Sequence, residues 1–588
     1  MKEWNLNLLY KDISDPRFEK DIKTWQKDIN IFIDKWKKDD SYTKDPAVLA
    51  KALDEYEKLL EKYTLSKPEY YIWLRRQLEQ NNKELRAKDS ILNDISLKLT
   101  NRIQFFPLNI AKIPKKYQSK FLNYKGLKDY KHYLKTSFEN AKYLLTDREE
   151  RVFNIKAKAS HSNWIIMMEE LLSKQQLNVI DEDGAKKQVP YSGISKYLNS
   201  TEQKVRNKAA IDFLKTNKKY SEISEYEINS ILEDKEVSDE YRNIDRPDKT
   251  RHLSDDIDSE VVDTLLQVVT ENFDIPKRFY KLKAKLLKKK NLRYFERNVP
   301  AHKIDTKYTF EKSKDIVKEV FTKLDPQFGD IFNSFVKNGQ YDVYPKASKT
   351  GGAFCIHITK ETPTYLLLNH TDELPDVLTL AHETGHGIHA ELSKIQNSLN
   401  NGSSKATAEV ASTFFEDFVL EEIKSNADDE LKKNLLISKL EDSISTIFRQ
   451  VACYNFELEL HKSFRETGYL SKEAISELFA KHMKSYLGST VVHDEHMDMG
   501  WVYWSHIRNF FYVYSYASGL LISKSLQSLV RKKPKDISKV KEFLSAGESM
   551  SPKEIFSTLG IDISKREFWE EGIKEIRSLL EEFENCLD

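Results

Sequence analysis

The stretch Leu380–Ser393, LAHETGHGIHAELS, packs three histidines and two glutamates into a chain of 588 residues that has only 14 His in all. On a helix, four residues turn through about 400°, so His382 and His386 stand almost one above the other. Two imidazoles placed in this way can grip one zinc ion. Glu383 lies about 100° further round the helix, beside the metal, where it can take a proton from a water without being a ligand. That order of residues suits metal-assisted hydrolysis of a peptide bond. The plain alternative is a pair of satisfied histidines on a half-buried helix.

A catalytic zinc needs a third protein ligand and an open position for water. His389 shares the face of His382 but sits a further turn along, better placed to line the site than to reach the same ion. A metzincin would carry Gly at 389 and His at 392; the chain has His389 and Leu392, so that pattern fails. Downstream, KATAEVASTFFEDFVLEEI reads as a second amphipathic helix with Phe414, Phe415 and Phe418 toward the core. Glu409 follows His386 by 23 residues, with the polar loop QNSLNNGSSK between them. This allows an antiparallel return and makes Glu409 the third ligand. Glu416, on the same face as Glu409, is read as the carboxylate that orients a ligand histidine, against the alternative of a solvated helix glutamate.

These residues must be held by the elements around them. One helix, opened near Pro375, should carry the motif, with Val377, Leu378 and Ala381 facing the core. Just before it, in Gln340–Asn369, Phe354, Ile356 and Ile358 alternate with Ala353, Cys355 and His357, and YLLL follows after a turn. The period of two predicts a small sheet beside the motif helix. Elsewhere the texture is helical. From Lys20 to about Arg102, apolar residues such as Trp25, Ile29, Phe32 and Trp36 recur at three- and four-residue steps. Prolines break the pattern around Phe105–Tyr117, and Val179–Ser195 reads as a small hairpin or loop. Near the end, SPKEIFSTLG offers Ser551 as N-cap, Pro552, Glu554 for a capping box and Gly560 as a stop.

Composition agrees. Gly (17) and Pro (15) are scarce, 39% of residues are hydrophobic and 32% charged, as a folded, mostly helical protein requires. The length suggests three or four units or one continuous helical body. Lys+Arg (94) nearly cancels Asp+Glu (93), which gives no electrostatic reason to propose nucleic acid or a membrane as partner. The basic run Lys281–Lys290 is read as a solvated helix face. Cys355, Cys453 and Cys586 fit neither a disulfide framework nor a Cys-based zinc site. With no signal-peptide core and no apolar run of membrane length, a cytoplasmic address is expected.

HETGHGIH followed by AEVASTFFE resembles the thimet oligopeptidase and oligoendopeptidase F family of zinc metallopeptidases, and the oligoendopeptidase F branch more closely. WNLNLLYKD, KTGGAFC, LLNHTDELPDVLTLAHE and HIRNFFYVYSYASGLL agree with it in order along nearly the whole chain. The resemblance implies a mainly α fold, a large helical ellipsoid split by a deep channel that admits short unfolded peptides, with one Zn²⁺ on its floor. It implies an N-terminal helical region (1–110), an oligoendopeptidase F-type helical domain (111–195) and a catalytic domain (196–588), as a monomer or homodimer. It also assigns roles. His506 and Tyr512 match a His and a Tyr that stabilise the oxyanion, with Tyr514 and Tyr516 as further candidates for contact with substrate. Gly351 and Gly352 match glycines beside the strand that pairs with bound peptide. His357 becomes a strand residue facing solvent or the channel. His493 and His496 fall outside the family pattern. The activity implied is cleavage of internal bonds in short peptides; release of dipeptides from a C-terminus and peptide binding without cleavage are the alternatives.

Overall fold

Asp15 accepts a hydrogen bond from the Arg17 N–H, Pro16 sets the first turn, and the helix they start runs Pro16–Trp36. Its buried Phe18, Trp25, Ile29, Phe32, Ile33 and Trp36 follow the expected spacing. The same logic repeats along the chain. The computed structural model describes residues 2–63, 66–299 and 307–587, and helix makes up 72% of it. The expected break near Phe105 is a pair of joints. Helix Lys83–Ile103 gives way to Phe105–Ala111, which takes Pro107 in its first turn, and Pro114 caps Lys115–Leu122. Ser551 and Glu554 form the expected capping box on Pro552–Thr558, and Gly560 turns the chain at φ +76°.

Strands are short. β1 (Gln176–Ile180) and β2 (Lys186–Pro190) make an antiparallel hairpin where a hairpin or loop was expected. The others are β3 (Leu292–Arg293), β4 (Tyr341–Asp342), β5 (Phe354–Ile356), β6 (Tyr365–Leu367) and β7 (Val491–Val492). β3 pairs in parallel with β7. The small sheet predicted before the His cluster runs β4–β6–β5, with β6 parallel to β4 and antiparallel to β5, so β5 is an edge strand.

Two compact units are each assembled from three separated stretches. The first comprises Met1–Lys142, Asp305–Asn426 and Leu529–Ile561; the second comprises Tyr143–Ile304, Ala427–Ser528 and Asp562–Asp588. In the first, Phe354, Ile356 and Ile358 pack on a core built from Trp4, Tyr70, Tyr71, Tyr365 and Leu367. The opposite face of β5 is thereby left to Cys355 and His357. In the second, the 39-residue helix Gln203–Tyr241 is the longest element, and its Ala209 closes a small core against Leu177 and Val179.

One expectation needs correction. The basic run Lys281–Lys290 is not wholly a solvated face, because the Lys283 side chain is 1% exposed and ion-paired with Glu441. An ammonium this buried is tolerated only with a carboxylate against it.

Candidate metal centre and active site

The motif lies on one helix, Leu374–Ser393, opened by Pro375. Asp376 Oδ2 accepts the N–H groups of Thr371 (2.7 Å) and Glu373 (3.0 Å), which fixes where the helix begins. Buried Leu374, Val377, Leu380, Ala381, Ile388 and Leu392 hold its inner face. The sheet leans on it too, as Tyr341 Oη and Thr384 Oγ1 share a hydrogen bond of 2.8 Å. A second helix, Lys405–Ser425, packs beside the motif helix. His382 meets Glu416 and His386 meets Glu409, so the two helices run antiparallel.

Close approach depends on two glycines. A Cβ on Gly385 would stand 2.7 Å from the Ser412 Cα and 2.9 Å from the Ala411 carbonyl oxygen. On the other side, a Cβ on Gly387 would meet the Phe335 ring at 2.6 Å. The motif helix is therefore pressed between the return helix and helix Pro326–Asn338.

The donors converge. His382 Nε2 and His386 Nε2 lie 3.4 and 3.5 Å from the same Glu409 oxygen, Oε2. One ligand atom from each of the three residues falls within 4.8 Å of the others, and among the described residues no second such group of three occurs. Glu416 Oε2 sits 3.0 Å from His382 Nδ1. It thus takes up the nitrogen that faces away and leaves Nε2 for the centre. Ser412 Oγ donates to Glu409 Oε2 at 3.0 Å.

Electrostatics suit a cation. Burial works against charge on Glu409, yet the two imidazoles hold its carboxyl well below the usual range. Burial also opposes a charged His382, but the Glu409 and Glu416 carboxylates outweigh it and raise the imidazolium to about 10. Glu383 is buried, and burial raises its carboxyl above the ordinary value while His382 and His386 pull it back. A carboxylate kept basic in this way can accept a proton.

Glu383, His382, His386, His389 and Glu409 line a cavity of about 490 Å³ together with Ala353, Cys355 and His357 on and beside β5. His389 is buried there, its ring 6.2 Å from that of Phe543. Gly351 and Gly352 lead into β5 and are exposed, with nothing within 4 Å of a Cβ built on either. Gly352 has φ +76°, which favours glycine.

The late motif belongs to the second unit. His506 Nδ1 is hydrogen-bonded to Tyr512 Oη, and the Tyr516 ring lies 6.0 Å from His506 and 5.8 Å from Tyr512. Burial lowers His506 to about 4, so it is a neutral imidazole at pH 7. Burial, with Tyr516 alongside, pushes the Tyr512 phenol up. Tyr514 is different. It is fully buried and its hydroxyl donates to Asp255 at 2.8 Å, so in this structure it packs the core and is not presented to a ligand. Tyr516, four residues after Tyr512, is the tyrosine that shares the face of His506 and Tyr512. His493 and His496 form no metal-binding group among the described residues.

With this geometry in place, the chain can be set beside known proteins. The profile of Peptidase family M3 matches residues 196–575, and that of Oligopeptidase F matches 109–175. The chain belongs to peptidase family M3. An oligoendopeptidase F homolog of Borreliella burgdorferi is 26% identical over 99% of this chain and 97% of its own length. Oligopeptidase PepF of Bacillus subtilis is 25% identical over 80% of this chain and 71% of its own. A solved protein of Chlamydophila abortus shares the fold with a TM-score of 0.87 at 20% identity, covering 100% of this chain and 98% of that one. Oligoendopeptidase-F of Enterococcus faecium does so with a TM-score of 0.73 at 17% identity, over 97% and 99% of the two chains.

In this M3 chain several supporting residues escape a reading of sequence alone. Gly385 and Gly387 lie within HETGHG, where glycine inside a helix is costly and signals a packing reason. Ser412 is three residues from Glu409 on its helix and carried no flag. Glu457 and Arg251, which hold the turn before Tyr512, are far away in sequence. Phe511 N–H donates to Glu457 Oε1 at 2.7 Å, and Arg251 Nη2 donates to the Asn509 carbonyl at 3.1 Å.

Proposed function

We propose that this peptidase is a zinc-dependent oligoendopeptidase that cleaves internal bonds of short, unstructured peptides. The observation that carries the reading is the convergence of His382 Nε2 and His386 Nε2 on one oxygen of Glu409. Two imidazoles and one carboxylate, in a pocket that raises His382 to about 10 and so attracts positive charge, fit a single Zn²⁺ per chain. When bound there, zinc supplies Lewis acidity to a water and to the scissile carbonyl. Glu416 holds His382 by Nδ1 and Ser412 holds Glu409, so the donor atoms are oriented in advance.

Glu383 takes the proton of the attacking water on its carboxylate and passes it to the leaving nitrogen. Water supplies the new C–O bond and the C–N bond breaks, so no covalent enzyme intermediate is needed. Tyr512 and His506, with Tyr516 beside them, are assigned to hydrogen-bond the oxyanion; the family motif supports this role. Gly351 and Gly352, with no side chain in the way, leave the approach to the edge strand β5 open for an extended peptide. His389 lines the cavity.

Action on short peptides follows the names of the relatives, oligoendopeptidase and oligopeptidase. The sequence divisions 1–110, 111–195 and 196–588, and a cytoplasmic location as monomer or homodimer, belong to the same proposal. No helix among the described residues is long and apolar enough to cross a membrane. Mass spectrometry of a nonapeptide blocked at both ends tests the activity. Internal cleavage that is lost with chelator and restored by zinc is expected. An intact blocked peptide beside a free-ended one that loses C-terminal dipeptides would replace this reading by an exopeptidase.

A further inference from the structure

The cavity that Glu383 lines also carries polar groups that the proposed mechanism does not use. His357 follows β5 on its cavity side, and both ring nitrogens are buried without a hydrogen-bond partner among the described residues. Asn401 lines the same cavity at 9% exposure, and its Nδ2 is also unpaired. Buried polar atoms are almost always satisfied, and three unpaired ones among the residues lining one cavity point to a ligand that pairs with them.

Both residues sit on backbone that is held firmly. Beyond His357, Thr359 N–H donates to Thr362 Oγ1 at 3.1 Å and closes a tight turn. Around Asn401, Ser393 Oγ donates to the Asn401 carbonyl at 2.9 Å, and the Glu548 N–H donates to the Asn400 carbonyl at 2.7 Å. Asn400 Nδ2 adds a bond of 2.9 Å to the Asp129 carbonyl. Neither side chain can swing away with its loop without breaking these bonds.

Burial lowers His357 to about 4, with Lys394 acting in the same direction and Glu391 against it, so at pH 7 the ring is neutral. It then offers one N–H donor and one lone pair. The Asn401 amide adds a donor. A partner that both accepts and donates without carrying charge, as a carboxamide does, matches this set. The edge of β5 already offers backbone groups to a peptide's backbone, which leaves His357 and Asn401 for a side chain.

We infer that His357 and Asn401 form a specificity subsite that selects a peptide residue with a carboxamide side chain, Gln or Asn, at one position near the scissile bond. The inference rests on the proposed peptidase reading. A carboxamide can pair with one ring nitrogen of His357 and with Asn401 Nδ2, whereas an apolar side chain of the same shape would pair with neither, a difference that sites built for hydrogen bonding discriminate against strongly.

The test is a set of blocked peptides in which each position flanking the scissile bond carries either Gln or Met, which are close in shape. The wild-type enzyme should favour Gln over Met in kcat/KM by about tenfold or more at one position. In His357→Phe and Asn401→Leu that ratio should fall below about threefold at that position and nowhere else. Zinc content and circular dichroism show that each variant is folded. If His357→Phe does not fold, Asn401→Leu and His357→Gln give the same reading. A wild-type ratio near one at every position, or a ratio untouched in the variants, overturns the subsite. Should the wild type cut none of the peptides, the peptidase reading fails, and the ratio of calorimetric dissociation constants for the Gln and Met peptides decides the subsite separately.

Discussion

Gly385 faces Ser412 so closely that a Cβ on the glycine would stand 2.7 Å from the Ser412 Cα. Backbone lies on the far side of that contact, so no flexible side chain can move out of the way. Gly385→Ala should push the return helix outward and carry Glu409 away from His382 and His386. Overpacking of this kind costs roughly 1–3 kcal/mol of stability. The sharper readout is zinc affinity, expected to fall by about tenfold or more, as losses of supporting contacts do. Competition titration against a chelating dye measures it, and unchanged affinity would show that the helix contact does not set the ligand geometry.

Glu416 meets His382 at Nδ1 and touches the proposed ion only through that ring. Glu416→Ala should leave the three ligands in place and weaken zinc binding by about 10–100-fold. Rapid zinc loss on dialysis, with a far-UV spectrum like that of the wild type, is the expected outcome. Full retention would make Glu416 an ordinary helix glutamate.

The turn before Tyr512 stores strain. Phe510 and Phe511 have φ of +41° and +58°, a region that non-glycine residues seldom occupy. Glu457 Oε1 accepts the Phe511 N–H, and burial raises the Glu457 carboxyl well above its usual range. Gln has the same acceptor and shape. Glu457→Gln should keep kcat within about threefold, whereas Glu457→Leu, which leaves the N–H unpaired, should cost about 1–3 kcal/mol and lower kcat more than it changes KM. Equal behaviour of the two variants would remove Glu457 as the support of Tyr512.

Acid should unfold the protein through its buried histidines. His252 is fully buried, bonded to Ser259 Oγ at 2.9 Å and Tyr454 Oη at 3.0 Å. Burial lowers it to about 4, with Asp248 acting against the shift. The folded value lies below the unfolded one, so the unfolded chain binds the extra proton. The stability contributed is present above about pH 6.5 and lost as pH falls toward 4, on the order of 2–3 kcal/mol for one such group. Urea unfolding at pH 7.5, 5.5 and 4.5 should show this decline, and a smaller one in His252→Asn. A flat profile in that window would contradict the neutral buried state.

What could be read from the sequence was what local spacing encodes. His382, His386, Glu409 and Glu416 are brought together by two helices whose periodicity, caps and connecting loop are all visible in one stretch. The edge strand was visible for the same reason, since Phe354, Ile356 and Ile358 alternate with their neighbours. The choice between Tyr514 and Tyr516 was not visible. It is set by the irregular turn at Phe510 and Phe511, where no glycine announces a positive φ, and by Asp255, which claims the Tyr514 hydroxyl. The two units were also hidden, because each joins three stretches far apart in the chain. The burial of Lys283 escaped notice because its partner Glu441 lies on another helix.

The central claim, that His382, His386 and Glu409 hold zinc while Glu383 moves the proton, is tested most directly by one paired measurement on Glu383→Gln. Zinc per chain is read by atomic emission, and turnover of the blocked peptide is followed in the same sample. The account predicts about one zinc per chain, as in the wild type, with turnover down by about 10³-fold or more. Turnover near the wild-type rate with zinc in place would contradict it.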